Sequence, residues 1–191
     1  MIILVEGPDG SGKSTLCNNI IENHKASYIH LSRPKNKLDI HSQFIHSMSA
    51  AHLLNESGSD VILDRHFLSQ IVYQGIFNDQ NTIEKFSATA FMNIIDKIIL
   101  CIPGDKNKYL DRFNNLKTNR YEMYQNMEDV YDAYLSLYTG EKICNKIDNE
   151  FYDMIINEGG LKNNPKVILY DMNKISKNNI SKFVDENIYN V

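Results

Sequence analysis

The sequence has little arginine. Of its 20 basic residues 16 are lysine, and only Arg33, Arg65, Arg112 and Arg120 are arginine, against 24 acidic residues and a formal net charge of −4. Such a chain has no surplus of positive charge for coating nucleic acid. No nucleic-acid partner is therefore expected, and any polyanion must be met at a small, locally cationic site. Cysteine is scarce as well: Cys17, Cys101 and Cys144 are odd in number, far apart and form no CxxC. That excludes a zinc or disulfide framework and fits a reducing, cytoplasmic compartment. No apolar run approaches the roughly 20 residues that cross a bilayer, so no membrane partner is expected. The apolar start, Met1 to Val5, has no basic leader and no small-residue cleavage site, and reads as a strand. Internal repeats and linkers are missing too. A length of 191 residues with 42% hydrophobic content suits one globular domain spanning 1–191.

Five short apolar runs read as strands: Met1–Val5, Tyr28–Leu31, Val61–Leu63, Lys97–Ile102 and Lys166–Tyr170. Most are continuously apolar, the pattern of strands buried on both faces. Helix-compatible segments separate them at Ser14–Lys25, Asp39–Asn55, Thr82–Ile95, Lys106–Leu116, Arg120–Tyr138 and Lys174–Ile188. This alternation predicts an α/β fold: a five-stranded parallel sheet with helices on both faces and right-handed crossovers. The segment Asn157–Pro165, with Gly159-Gly160 and Asn163-Asn164, reads as a loop and as the least ordered stretch.

The strongest motif is Gly7-Pro8-Asp9-Gly10-Ser11-Gly12-Lys13-Ser14, which fits GxxxxGK[ST] between the first strand and the first helix. Glycines let consecutive backbone N–H groups turn toward one anion, and the helix N-terminus adds its positive end. The loop residues Gly7, Gly10, Ser11, Gly12, Lys13, Ser14 and Thr15 are thus expected to hold ATP phosphates. Lys13 would reach the β/γ-phosphates and Ser14 would ligate Mg²⁺. A second signal is Val61-Ile62-Leu63-Asp64-Arg65-His66, an apolar strand that delivers a carboxylate at its C-terminal edge. Asp64 can hold Mg²⁺ or its water shell opposite Ser14. Arg65 can neutralise a phosphate.

At this point the sequence resembles the thymidylate kinase family, P-loop deoxynucleoside monophosphate kinases. Asp64-Arg65-His66-Phe67-Leu68-Ser69-Gln70-Ile71-Val72-Tyr73-Gln74-Gly75 is similar to that family's DR[YH]xxSxxAYQG. Glu6-Gly7-Pro8-Asp9-Gly10, running into Ser11-Gly12-Lys13-Ser14-Thr15, is similar to its EGxDGxGKST. Leu31-Ser32-Arg33-Pro34 stands where the family has an Arg-Pro or Pro-Arg segment, and Arg120-Tyr121-Glu122 is similar to its DRxE segment after the lid. The likeness is spread from about Met1 to Tyr138.

The resemblance implies ATP as phosphoryl donor, Mg²⁺, small-molecule nucleotide substrates and a homodimer packed through helices. It implies that Asp9 holds the acceptor's 3′-hydroxyl and that Arg33 grips its 5′-phosphate. Arg65 would lie between the acceptor phosphate and the donor γ-phosphate. Tyr73 matches a tyrosine that crowds the 2′ position, and reads equally well as a core tyrosine on a helix. Gln70 falls near the family's base-edge contact. The phosphate loop itself carries no spare cation, so the lid, approximately 105–122, must supply one. Arg112, Lys117 and Arg120 are the candidates, with a solvated helix face the other reading for the first two. The stripe Tyr124, Met127, Tyr131, Tyr134, Leu135 and Tyr138 reads as core packing.

The family's pattern breaks in one place. Its members carry Phe and, four residues later, a thymine-reading Arg on the helix before the third strand. Counting back from Asp64 puts Ile40 and Phe44 there, and no arginine occurs between residues 34 and 64. His41, Gln43, Phe44 or His46 would do the reading instead. The expected reaction is ATP- and Mg²⁺-dependent phosphorylation of a deoxynucleoside monophosphate, dTMP first, with a modified uridylate or another deoxynucleotide as alternatives. A P-loop deoxynucleoside kinase is the nearest rival. It needs a carboxylate base after the second strand, where this chain has Arg33. A GTP-dependent switch is more distant. Asn36-Lys37-Leu38-Asp39 and Asn145-Lys146-Ile147-Asp148 both match NKxD, but the first comes too early, the second lacks a preceding strand, and no DxxG occurs.

Overall fold

The computed structural model describes residues 1–31, 40–77, 83–114 and 126–189, with Phe113 and Asn114 described by their backbone. Its strands are β1 (Ile2–Glu6), β2 (Ser27–His30), β3 (Val61–Asp64), β4 (Lys97–Cys101) and β5 (Val167–Tyr170). All pairings are parallel and the strand order is β2-β3-β1-β4-β5. The expected strands and the observed ones agree to within a residue at each end.

The longer helices are α1 (Lys13–His24), α2 (Ile40–Glu56), α3 (Phe67–Phe77), α4 (Lys85–Ile94), α5 (Lys106–Asn114), α6 (Met127–Thr139) and α7 (Glu150–Asn157). The chain ends in a short α8 (Ile180–Val184), preceded by a 3₁₀ turn at Lys177–Asn179 and followed by a π turn at Asp185–Tyr189. α7 was not foreseen, and α3 was expected only as the helix that would carry a core Tyr73. The expected final helix is broken into these three short pieces.

Successive strand residues feed two different cores. Ile2, Leu4, Val61, Leu63, Ile98 and Leu100 pack with α2, α3, α4, α6 and α7. Ile3, Val5, Ile62, Ile99 and Cys101 pack with Leu16, Cys17 and Ile20 of α1 and with Ile180 and Val184 of α8. The uninterrupted apolar runs have this cause, since each pleat points a side chain into one layer or the other. Each fully buried Ile or Leu contributes about 1.5–3 kcal/mol of transfer free energy. The tyrosine stripe is core where it is described, with Met127, Tyr131 and Tyr134 buried.

The segment read as the least ordered loop is a packed connection. Leu161–Asn163 forms a 3₁₀ turn, Leu161 is buried, and Gly160 N–H donates to Ile155 O at 2.9 Å. Among the described residues no helix is long and apolar enough to cross a membrane.

Candidate active site

β1 and β3 are adjacent, and the two motifs leave their carboxyl ends together. The loop after β1 turns through left-handed glycines, Gly10 at φ 72° and Gly12 at φ 92°. Gly7 has no room for a side chain, since a Cβ there would lie 2.2 Å from the Cys101 carbonyl oxygen. Lys13 opens α1, and its ammonium folds back over the loop to donate to Gly7 O at 2.9 Å and Pro8 O at 2.6 Å. Burial pulls the Lys13 ammonium down to about 8, and the Arg65 charge adds to this. The Ser11 hydroxyl is buried with no hydrogen-bond partner among the described residues. Buried polar atoms of this kind are normally satisfied. Together with the turned glycines it fits a loop built to surround an anion. Ser14 and Thr15 are exposed on the first turn of α1.

Arg65 follows β3 with a left-handed backbone, φ 70°. A non-glycine residue in that region is strained by roughly 1 kcal/mol or more, and such strain collects at functional sites. Its guanidinium pairs with Asp9 of the loop and donates to Ser69 Oγ at 3.2 Å and to Gly7 O at 3.5 Å. It also covers the ring of Tyr73, 5.1 Å from the centroid. Burial opposes its charge, but Tyr73, Tyr134, Asp9 and Glu6 hold it protonated. Lys13, at the start of α1, and Arg65, just after β3, therefore both reach the Gly7 carbonyl. Two cations beside one anion-binding loop can neutralise the charge of a transferring phosphoryl group.

Asp64, the last residue of β3, is buried. Its Oδ2 accepts from the Tyr28 hydroxyl at 2.6 Å and lies 3.2 Å from His30 Nδ1, while Oδ1 has no partner among the described residues. An unsatisfied carboxylate oxygen and an exposed serine hydroxyl form a hard oxygen donor set that fits Mg²⁺. Such an ion would screen the charge of the nucleotide phosphates and orient them. Among the described residues no cluster of three His, Cys, Asp or Glu forms a metal cage. A Mg²⁺ bound mainly through phosphates and water needs only one or two protein oxygens.

Behind the site lies Glu6, fully buried. It accepts from the backbone N–H groups of His66 (2.7 Å) and Ser69 (3.1 Å), from the Ser69 hydroxyl, and from the Tyr134 hydroxyl (3.0 Å). Burial raises its pKa, and these donors and the Arg65 charge pull it partly back. One carboxylate thus joins the end of β1 to the start of α3 and to α6.

The remaining expected residues are placed as follows. Gln70 and Tyr73 lie half-buried on α3. Phe44 is in the core, edge-on to His66 at 4.6 Å, so here it packs rather than lines an open surface. Arg112 is exposed and turns to the loop after β5, donating to Met172 Sδ at 3.2 Å and Asn173 Oδ1 at 3.4 Å. Met172 stands between it and Gly12. Arg33, Lys117, Arg120 and the NKxD at 36–39 lie outside the described residues. Of the expected lid, residues 106–114 are α5. This helix is tied down by Lys106 to Glu128 and Asp132 of α6, at 2.9 and 2.7 Å, and by the Tyr109 hydroxyl to Asp9 O at 2.9 Å. The second NKxD is in an irregular segment with Ile147 buried and Lys146 paired to Asp129 at 2.7 Å, and no strand precedes it.

Sequence reasoning missed Tyr28, His30, Glu6 and Asp171. Asp171 directly follows β5 and accepts from Gly104 N at 2.9 Å and Asn173 N at 2.9 Å, clasping the loops after β4 and β5 together. A Cβ at Gly104 would lie 2.3 Å from its carboxylate.

His66 carries a pH consequence. Its Nε2 lies 3.1 Å from Ser47 Oγ and 3.3 Å from Phe44 O, while Nδ1 is buried without a partner among the described residues. A second ring proton would have nothing to bond, and burial holds the pKa at about 3. The unfolded chain takes up that proton near pH 6.5, so the lowered folded value contributes stability above pH 6.5 that is lost as pH falls toward 3. The loss approaches about 1.4 kcal/mol per pH unit. In urea unfolding at pH 7 and pH 5, His66→Phe should lose less stability than the unsubstituted chain, since Phe44, Phe67 and Phe91 already surround the ring. An equal loss would show that His66 titrates normally.

The sequence matches no family model and no curated protein. Solved structures do share its fold. The YorR protein from Bacillus subtilis, in complex with phosphorylated GDP, is 20% identical over 96% of this chain and 93% of that one, with a TM-score of 0.65. Deoxyadenosine kinase from M. mycoides with bound dATP is 15% identical over 97% and 98%, with a TM-score of 0.54. Thymidylate kinase from Candida albicans is 15% identical over 99% and 91%, with a TM-score of 0.51. At these identities the likeness is one of architecture. The chain has the fold that these structures share, among them a deoxyadenosine kinase and a thymidylate kinase.

Proposed function

We propose that this protein transfers the γ-phosphoryl group of ATP, with Mg²⁺, to a deoxynucleoside monophosphate, with dTMP as the first acceptor to consider. The observation that carries this reading is the meeting of Lys13 and Arg65 at the Gly7 carbonyl, at 2.9 and 3.5 Å. In it, residues 7–15 hold the ATP phosphates, and Ser14 and Asp64 hold Mg²⁺. Asp9 and Arg65 exchange their mutual ion pair for the acceptor's hydroxyl and phosphate. Arg33 completes the phosphate grip, Tyr73 and Gln70 border the acceptor, and Lys117 or Arg120 adds a cation. Catalysis is positioning and charge neutralisation. A homodimer in the cytoplasm belongs to the same reading.

A deoxynucleoside kinase is the second reading, since deoxyadenosine kinase shares the fold over nearly its whole length. That chemistry needs a carboxylate ready to take a proton from a 5′-hydroxyl. Of the described carboxylates Glu6, Asp9 and Asp64, Glu6 is held by four donors and Asp9 by Arg65, and Asp64 in this reading holds Mg²⁺. A monophosphate brings its own anionic nucleophile and needs no such base. An acceptor screen with ATP and Mg²⁺ tests this, using thymidine, deoxyadenosine, deoxycytidine, deoxyguanosine, dTMP, dAMP, dCMP, dGMP and the ribonucleotides. Turnover of one or more deoxynucleoside monophosphates above every nucleoside is expected. Thymidine as the better acceptor would replace this reading with the second.

A further inference from the structure

We propose that Tyr28 and His30, on the edge strand β2, are positioning residues for the Asp64 carboxylate and set the affinity for the nucleotide-bound divalent cation. This rests on the reading that Asp64 handles Mg²⁺.

The geometry begins with register. β2 and β3 run parallel with Tyr28 opposite Ile62 and His30 opposite Asp64. The His30 and Asp64 side chains therefore leave the sheet side by side. Tyr28, two residues earlier, shares that face. Their rings lie 6.3 Å apart and within 12° of parallel. Both reach the same carboxylate oxygen, Oδ2, the tyrosine at 2.6 Å and the imidazole Nδ1 at 3.2 Å. An ionised carboxylate only accepts, so the imidazole proton sits on Nδ1.

The other oxygen, Oδ1, is buried and has no partner among the described residues. Two donors on one oxygen and none on the other fix the carboxylate in one orientation and leave one oxygen for a single hard ligand. Groups that hold a ligating carboxylate in this way tune metal affinity in other proteins by about 10- to 100-fold. The pair contributes little to folding. Tyr28 is 44% exposed and His30 is similarly open, and both stand on an edge strand. Neither is needed for strand β2 to pair with β3.

The test uses Mn²⁺ in place of Mg²⁺, titrated into the full chain with a nonhydrolysable ATP analogue, with free Mn²⁺ read by electron paramagnetic resonance. Binding of the analogue without metal is measured in EDTA. Tyr28→Phe and His30→Ala should each weaken Mn²⁺ about tenfold and leave metal-free analogue binding within about twofold. His30→Gln, which keeps a donor, should lose less. If Asp64→Asn weakens Mn²⁺ and the two β2 variants do not, the positioning role is overturned while the reading of Asp64 stands. Equal weakening with and without metal would reduce the pair to a structural contact and also overturn it. If Asp64→Asn leaves Mn²⁺ affinity unchanged, the reading beneath the proposal falls with it.

Discussion

Arg65→Ala is expected to lower kcat by about 10²- to 10³-fold in the acceptor assay while leaving the protein folded. The guanidinium is one of two cations that meet the Gly7 carbonyl, and it is held there by Asp9, Ser69 and the Tyr73 ring. Once the acceptor has taken the place of Asp9, the guanidinium is still held by Ser69, the Gly7 carbonyl and the Tyr73 ring where negative charge develops. Alanine removes the charge but keeps the left-handed backbone at φ 70°, so the strain of that turn is unchanged and the variant tests the side chain alone. Lysine is a poor replacement, because it cannot bond Asp9, Ser69 and the Gly7 carbonyl from one planar group. The check is single-turnover kinetics beside thermal unfolding. Near-normal turnover in a folded Arg65→Ala protein would remove this residue from the chemistry.

The second large effect concerns stability. Gly160→Ala should lower the stability by roughly 4 kcal/mol and the melting temperature by about 10 °C, a large share of the usual margin. Gly160 has φ 84° and ψ 168°, a region closed to residues with a side chain. A Cβ there would lie 2.3 Å from Gly140 N and 2.5 Å from Tyr138 O. Gly140 in turn would press a Cβ to 2.2 Å from the Gly159 carbonyl carbon. The obstacles are all backbone at the end of α6, so no rotamer change relieves them. Gly58→Ala is the control. It also has a left-handed φ, 92°, but nothing lies within 4 Å of its added Cβ, so it should cost about 1 kcal/mol. If both variants melt within a few degrees of each other, the contact between Gly140 and Gly160 is not what holds α6 to α7.

The sequence was readable where one residue type has one dominant reason to occur. The phosphate loop is such a place, because a GxxxxGK[ST] pattern between strand and helix has few other uses. The five strands are another, since burial on both faces leaves continuous apolar runs. α3 showed only through Tyr73, read as a core tyrosine on a helix, because its motif residues drew attention away from the helical spacing of Ser69, Gln70, Tyr73 and Gln74. α7 is only eight residues long, and its signals were the Asn149 side chain that accepts from Phe151 N and Tyr152 N and the apolar stripe Phe151, Tyr152, Ile155 and Ile156. Arg112 illustrates a different limit. Its place near the expected lid was legible, but its attachment to Met172 and Asn173 depends on where β5 ends. Tyr28 and His30 were invisible for the same reason. A tyrosine and a histidine on a short strand mean little until the register sets them against Asp64. Glu6 read as part of a motif, and only burial shows it joining three elements.

The strand order has a consequence for how the chain is made. β1 is the central strand, and both its neighbours come later in the chain: Val61 pairs with Ile2, and Lys97 with Ile3. During synthesis its two edges stay open until β3 and then β4 have emerged, some 60 and 95 residues downstream. The Cys101 carbonyl that presses on Gly7 arrives with β4. The loop after β1 is therefore made before the strands that flank it and shaped only once they arrive. Its folding speed should be governed by long-range closure rather than by any local preference of the loop.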